Sequence, residues 1–151
     1  MEKHIEKKYP SVQKVTNSQH IDMVREIFST ITSNYDFLNH LLSLRRDIAW
    51  RRFAIKKMHF FSTHRLLDVA CGTADIAIGA AHRYPAVRIT GIDFVRAMLN
   101  LGQRKITEKS LSHNIQLIQA DAIQLPFHDN AFDVAGIAFG IRNIPDRTKA
   151  L

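Results

Sequence analysis

Cysteine is almost absent from this chain: Cys71 stands alone among 151 residues. An internal disulfide is thereby excluded, and the usage fits a reducing compartment. No apolar run is long enough to span a bilayer, and the opening segment, Met1 to Lys8, lacks the apolar centre of a signal peptide. A cytoplasmic protein is therefore expected. None of the eight histidines falls at a metal-ligand spacing, so no metal site is expected either. Acidic residues are outnumbered, 14 against 21 lysines and arginines, which gives a formal charge of +7. The surplus is scattered in pairs, such as Lys7-Lys8, Arg51-Arg52 and Arg104-Lys105, with no nucleic-acid-binding motif around them. Solvated helix faces account for most of it and no nucleic-acid partner is expected. The charge leaves room for a peripheral attraction to anionic lipid head groups at the inner face of a membrane. Glycine is sparse, six in all. From Gly72, the glycines that a dinucleotide fingerprint G-x-G-x-x-G requires are replaced by Ala74 and by Ile76 or Ala77, which argues against a nicotinamide or flavin enzyme.

What is present centres on Leu66-Leu67-Asp68-Val69-Ala70-Cys71-Gly72-Thr73-Ala74-Asp75. A short continuous apolar run reads as a strand buried on both faces, and the small residues after it read as a tight turn into an alanine-rich helix. Glycine at such a turn lets the backbone bend sharply and approach a ligand, at the carboxyl edge where open α/β sheets bind. Cys71 lies inside this turn, but no histidine or acid is spaced to activate it, and it reads as a small semi-buried residue.

The length suits one domain with a sizeable core. Residues 1–18 are polar, charged and broken by Pro10, as in a flexible arm. Residues 19–62 read as a helical cover. Ile21, Val24, Phe28 and Ile31 form one stripe, a second piece carries Tyr35, Leu38, Leu41 and Leu42, and a third runs from Arg46 to about Phe60 with Ile48, Trp50, Phe53 and Met58. Residues 63–151 then alternate. A helix from Ala74 to about Arg83 stops at Tyr84-Pro85. Val87 to Ile92 is a strand ending at Asp93, and a helix follows from about Val95 to Lys109 with Met98, Leu101 and Ile106 apolar. Ile115 to Gln119 and Phe132 to Phe139 are two more strands. The alternation predicts an open parallel sheet with right-handed crossovers.

Asp93 stands about twenty residues beyond the turn glycine, where an acid accepts both hydroxyl hydrogens of a ribose. Position thus indicates a nucleoside although the dinucleotide fingerprint is missing. Asp121-Ala122 follows the third strand, where a carboxylate can accept from an adenine amino group and the next N–H can donate to the ring; the plain alternative for Asp121 is a turn or a helix cap.

The spacing Asp68-x-Ala70-x-Gly72-x-Ala74 resembles the first motif of class I S-adenosylmethionine (SAM) methyltransferases. Three separated segments make the resemblance specific: Tyr35-Asp36-Phe37-Leu38-Asn39 with Trp50, then Asp68 to Asp75, then Leu125-Pro126-Phe127 running into Phe139-Gly140-Ile141-Arg142-Asn143. Together they resemble the UbiE/MenG family, whose members C-methylate demethylmenaquinol or a ubiquinol precursor. The resemblance implies a class I methyltransferase (Rossmann-like) α/β fold, SAM as cofactor and a polyprenyl quinol as substrate. It places Asp68, Gly72 and Thr73 in the SAM loop, Asp93 at the ribose, and Asp121 with Ala122 at the adenine. Arg142 is the candidate to stabilise a developing phenolate, because arginine stays charged in a dry site. Asn143 and Tyr35 are candidates to fix the ring or a water.

Two residues depart from the family pattern. Ala74 stands where glycine is usual and would be strained at positive φ, and Asp47 stands where histidine is frequent. Family members also continue beyond the position of Leu151, so the later strands are expected to be missing. The fourth strand would then be an exposed edge offering a homodimer contact. Two other readings are a catalytically silent SAM- or partner-binding fragment and a methyltransferase for another small molecule.

Overall fold

The computed structural model describes residues 46–138 together with Asp22, Met23, Glu26, Gly140, Ile141, Ile144, Asp146 and Thr148. The proposed arm, most of the helical cover, and Tyr35, Arg142 and Asn143 lie outside the described residues. Helix α1 (Arg46–Lys56) leads into strand β1 (Arg65–Val69), helix α2 (Asp75–Arg83), strand β2 (Arg88–Asp93), helix α3 (Arg96–Glu108), strand β3 (Ile115–Gln119) and strand β4 (Val134–Ile137). The four strands form one parallel sheet in the order β3-β2-β1-β4. Among the described residues, β4 pairs on one side only, with β1.

Both faces of the sheet are apolar, which is why β1 reads as an unbroken hydrophobic run. Side chains alternate along a strand. Leu66 and Ile89 join Ile115, the alanines of α2 and Ile106 of α3 in one core. Leu67, Val69 and Ile92 form a second core on the opposite face, covered by Phe127 and Phe132, whose rings meet edge to face at 5.0 Å. Asp68 falls between Leu67 and Val69 and therefore projects toward the helices.

Each helix is set by what it buries. In α3 the buried stripe is Met98, Gly102 and Ile106 with Leu99 beside it, whereas Leu101 is only half-buried. Helix α2 is stopped as anticipated at Tyr84, which precedes a proline and whose N–H caps the carbonyl of Ala80. Helix α1 ends at Lys56 rather than near Phe60. Its last turn tightens as Lys57 and Met58 donate to the carbonyls of Ala54 and Ile55, three residues back, and the Tyr84 hydroxyl lies 3.1 Å from the Ile55 carbonyl. Ile55 is its buried apolar residue, pressed on Gly79 of α2, while Trp50 and Phe53 are exposed.

Strand β4 is shorter than the expected Phe132 to Phe139. Phe132 turns into the second core, and although the Asp133 N–H still donates to the Arg65 carbonyl of β1 at 3.0 Å, its side chain bonds away from the sheet. Its carboxylate accepts the backbone N–H groups of Phe61, Ser62, Thr63 and His64 at 2.8–3.1 Å, with the Thr63 hydroxyl at 3.1 Å. Those hydrogen bonds hold the Asp133 carboxyl well below the usual carboxylate range. Phe139 lies outside the described residues.

Candidate functional site

The loop after β1 has an unusual backbone. Ala70, Gly72 and Ala74 all have positive φ, 52°, 55° and 66°, alternating with residues that do not. Only glycine adopts this conformation without strain, so the two alanines carry a cost of roughly 1–2 kcal/mol each. Packing holds them there. A Cβ on Gly140 would come within 2.5 Å of the Ala70 Cβ, so the glycine of the Phe-Gly-x-Arg-Asn segment packs directly on the loop. A Cβ on Gly102 would meet the Ala74 Cβ at 3.3 Å and the Thr73 carbonyl carbon at 3.2 Å; α3 backs the loop because it has no side chain there.

Ala74 is also the N-cap of α2 and offers no side-chain acceptor. Asp68 substitutes for it across the loop, its Oδ2 accepting the Ala77 N–H at 3.2 Å and so satisfying one of the unpaired donors of the first turn. Burial pushes the Asp68 carboxyl up to about 7, opposed by that hydrogen bond and raised further by the nearby Asp93. The Cys71 thiol is also raised by burial, next to the same two acids, which keeps it protonated and unreactive at neutral pH.

Asp93, at the end of β2, is the tie between loops. Its Oδ2 accepts the Gly72 N–H at 2.9 Å and its Oδ1 the Val95 N–H at 2.9 Å, and its carbonyl accepts the Ala120 N–H at 3.2 Å. Burial raises its carboxyl above the ordinary value while the N–H groups of Val95, Gly72 and Phe94 pull it back. A carboxylate offers about four acceptor sites, so these three N–H groups leave acceptor capacity for a ligand hydroxyl. Asp121 is exposed and its Oδ1 accepts the Ile123 N–H at 2.9 Å, the turn geometry that its position allowed. Ala122 packs on the second core. Gly72, Asp93 and Ala120, the residue just before the Asp121-Ala122 turn, are thus joined by hydrogen bonds at one edge, the carboxyl ends of β1, β2 and β3.

Thr73 is buried and its hydroxyl accepts from Lys105 Nζ at 3.1 Å. Lys105 also pairs with Asp75, which pairs in turn with Arg51 of α1. None of these three was singled out from sequence as a site residue. A lysine in a basic pair on an amphipathic helix carries no signal of its partner.

Two recesses flank this architecture. One of about 250 Å³ is lined by Trp50, Arg51, Ala54, Ile76 and Ala138, mostly apolar, where α1 meets the start of α2 and the end of β4. The other, about 470 Å³, lies at the opposite, amino edge against Arg65, Arg88, Asn114 and Phe127. Although larger, it is on the edge where parallel sheets do not ordinarily bind ligands. Among the described residues there is no cluster of three metal-ligating side chains. No described helix is long and apolar enough to cross a membrane.

Comparison with known proteins matches this geometry. A family model described as the ubiE/COQ5 methyltransferase family matches residues 13–151. The chain is 46% identical over 131 residues to the ubiquinone/menaquinone biosynthesis C-methyltransferase UbiE of Geotalea daltonii, covering 86% of this chain and 56% of that protein. It is 40% identical over 126 residues to a demethylmenaquinone methyltransferase of Geobacillus stearothermophilus, covering 83% and 53%. A solved structure of a SAM dependent methyltransferase from Aquifex aeolicus superposes with a TM-score of 0.58 at 19% identity, over 66% of this chain and 53% of that one. The sheet and its helices therefore have the Rossmann-like α/β methyltransferase fold that the resemblance implied. The chain spans a little over half the length of the curated relatives it matches.

Proposed function

The chain belongs to the ubiE/COQ5 methyltransferase family, and on that premise we propose that it binds S-adenosylmethionine and transfers the methyl group to a ring carbon of a demethylmenaquinol or related polyprenyl quinol. The observation that carries this reading is Asp93, held by the Gly72 N–H at the tip of β2 with acceptor capacity to spare. That fits a ribose hydroxyl of a nucleoside. Asp121 and the Ala122 N–H, in the turn after β3, are assigned to the adenine, and the positive-φ loop at Gly72 and Thr73 to the amino-acid end. Asp68 serves the same pocket indirectly, by capping α2.

When bound, SAM supplies an electrophilic methyl group on a sulfonium. The residues must hold the acceptor carbon in line with that methyl and favour loss of the quinol hydroxyl proton, which pushes charge onto the ring. Arg142 is assigned to stabilise the developing phenolate oxygen, and Asn143 and Tyr35 to fix the ring or a water by hydrogen bonds. The apolar recess at Trp50, Ala54, Ile76 and Ala138 suits an aromatic, lipid-soluble acceptor. The net charge of +7 supports a peripheral contact with anionic lipid, where such an acceptor resides.

The test is transfer of labelled methyl from SAM to a short-chain demethylmenaquinol, with calorimetry of S-adenosylhomocysteine in parallel. Methylated quinol is expected, and Arg142→Ala is expected to slow transfer roughly 100-fold while leaving cofactor affinity unchanged. Binding without transfer would identify a donor-binding module, and absence of both would overturn the proposal.

A further inference from the structure

We propose that Lys105 is a positioning residue for the cofactor loop, and that Asp75, which Lys105 shares with Arg51, latches helix α1 to that loop; this rests on the function proposed above. Three helices converge on one carboxylate. Asp75 is the first residue of α2; its Oδ1 meets Lys105 Nζ from α3 and its Oδ2 meets Arg51 Nη1 from α1. Arg51 is itself fixed by Asp47, one turn earlier in α1, at 3.2 Å. Asp47 is almost fully buried and pre-sets the guanidinium that reaches Asp75. The side chains of Arg51, Lys105 and Asp75 are only 14%, 20% and 23% exposed, so solvent screens them less than a surface pair. Among the described residues, the two cations Arg51 and Lys105 face the carboxylates of Asp75 and Asp47.

Its link to the loop is direct. Lys105 Nζ donates to Thr73 Oγ1 at 3.1 Å as well as pairing with Asp75, the residues on either side of Ala74. The loop needs such an outside restraint, since two of its three positive-φ residues are alanines. Helix α3 supplies it twice on one face, through Gly102, against which Ala74 and Thr73 rest, and through Lys105, which holds the Thr73 hydroxyl. Asp93 and Asp121 serve the nucleoside end, so loosening Thr73 weakens the grip on the amino-acid end selectively. Arg51 transmits the same constraint to α1, whose Trp50 and Ala54 line the apolar recess.

The experiment measures affinities for S-adenosylhomocysteine and for 5′-methylthioadenosine, which lacks the amino-acid end, in the unsubstituted chain and in Lys105→Met, Lys105→Arg and Arg51→Met. Lys105→Met is expected to weaken S-adenosylhomocysteine about 10-fold with methylthioadenosine unchanged, and Lys105→Arg to restore part of the loss. Arg51→Met combined with Lys105→Met is expected to be non-additive, because both act on Asp75. Equal weakening of both ligands, or unchanged affinity for both, overturns the latch and leaves the proposed function standing. No binding of either ligand by the unsubstituted chain overturns the function and the latch together.

Discussion

Ala70 and Ala74 sit in the same backbone region at nearly the same φ, yet replacing each by glycine has different expected results. At Ala70, which is half-buried, relief of left-handed strain exceeds the entropy that glycine adds to the unfolded chain, and Ala70→Gly stabilises by about 0.5–1 kcal/mol. At Ala74 the methyl is fully buried against Gly102, and its loss, about 0.8 kcal/mol, cancels the gain, so Ala74→Gly is neutral or slightly destabilising. Urea unfolding of the two variants checks the order. Asp68 gives a pH signature. Its folded carboxyl titrates at about 7 against 3.8 for the ordinary group, so between those values the folded chain holds a proton that the unfolded chain has released. Stability from this group is therefore complete below about pH 4 and lost as pH rises through 7, a loss on the order of a few kcal/mol. Asp68→Asn keeps an acceptor for the Ala77 N–H, and its unfolding free energy is expected to fall much less between pH 4 and pH 8. The strained positions were legible in sequence as a spacing of small residues. The buried cap made by Asp68 was not, because an acid in a strand does not announce which helix it faces.

Among the elements, β1 and α2 were legible because each had one strong local signal: burial on both faces for the strand, and an alanine-rich run closed by Tyr84-Pro85 for the helix. The bounds of α1 and β4 were not, because tertiary contacts set them. Tyr84 reaches the carbonyl at the end of α1, and Asp133 gathers the N–H groups of residues 61–64. An aspartate ahead of a strand looks like any turn residue in sequence. Here it joins the entry of β1 to the entry of β4. Asp133→Ala is expected to lower the thermal midpoint and to accelerate amide exchange at Phe61 to His64. Since the carboxyl is held low, its contribution is present above the ordinary carboxylate range and fades as pH falls below it, so the variant and the unsubstituted chain converge in acid. Unchanged exchange at those four amides would contradict the assignment.

For the molecule as a whole, the sheet order β3-β2-β1-β4 brings the loops after β1, β2 and β3 to one edge, and the hydrogen bonds from Gly72 and Ala120 to Asp93 make them one unit. Among the described residues, one recess lies beside α1 at the carboxyl edge and a larger one at the amino edge. Size favours the second; topology and the arrangement of acceptors favour the carboxyl edge. Amide NMR during titration with S-adenosylhomocysteine separates them most directly. The account predicts shifts concentrated at Gly72, Thr73, Asp93 and Ala122, with Arg88, Thr90, His113 and Asn114 unmoved. Shifts confined to the latter group, or none anywhere at saturating ligand, would contradict it.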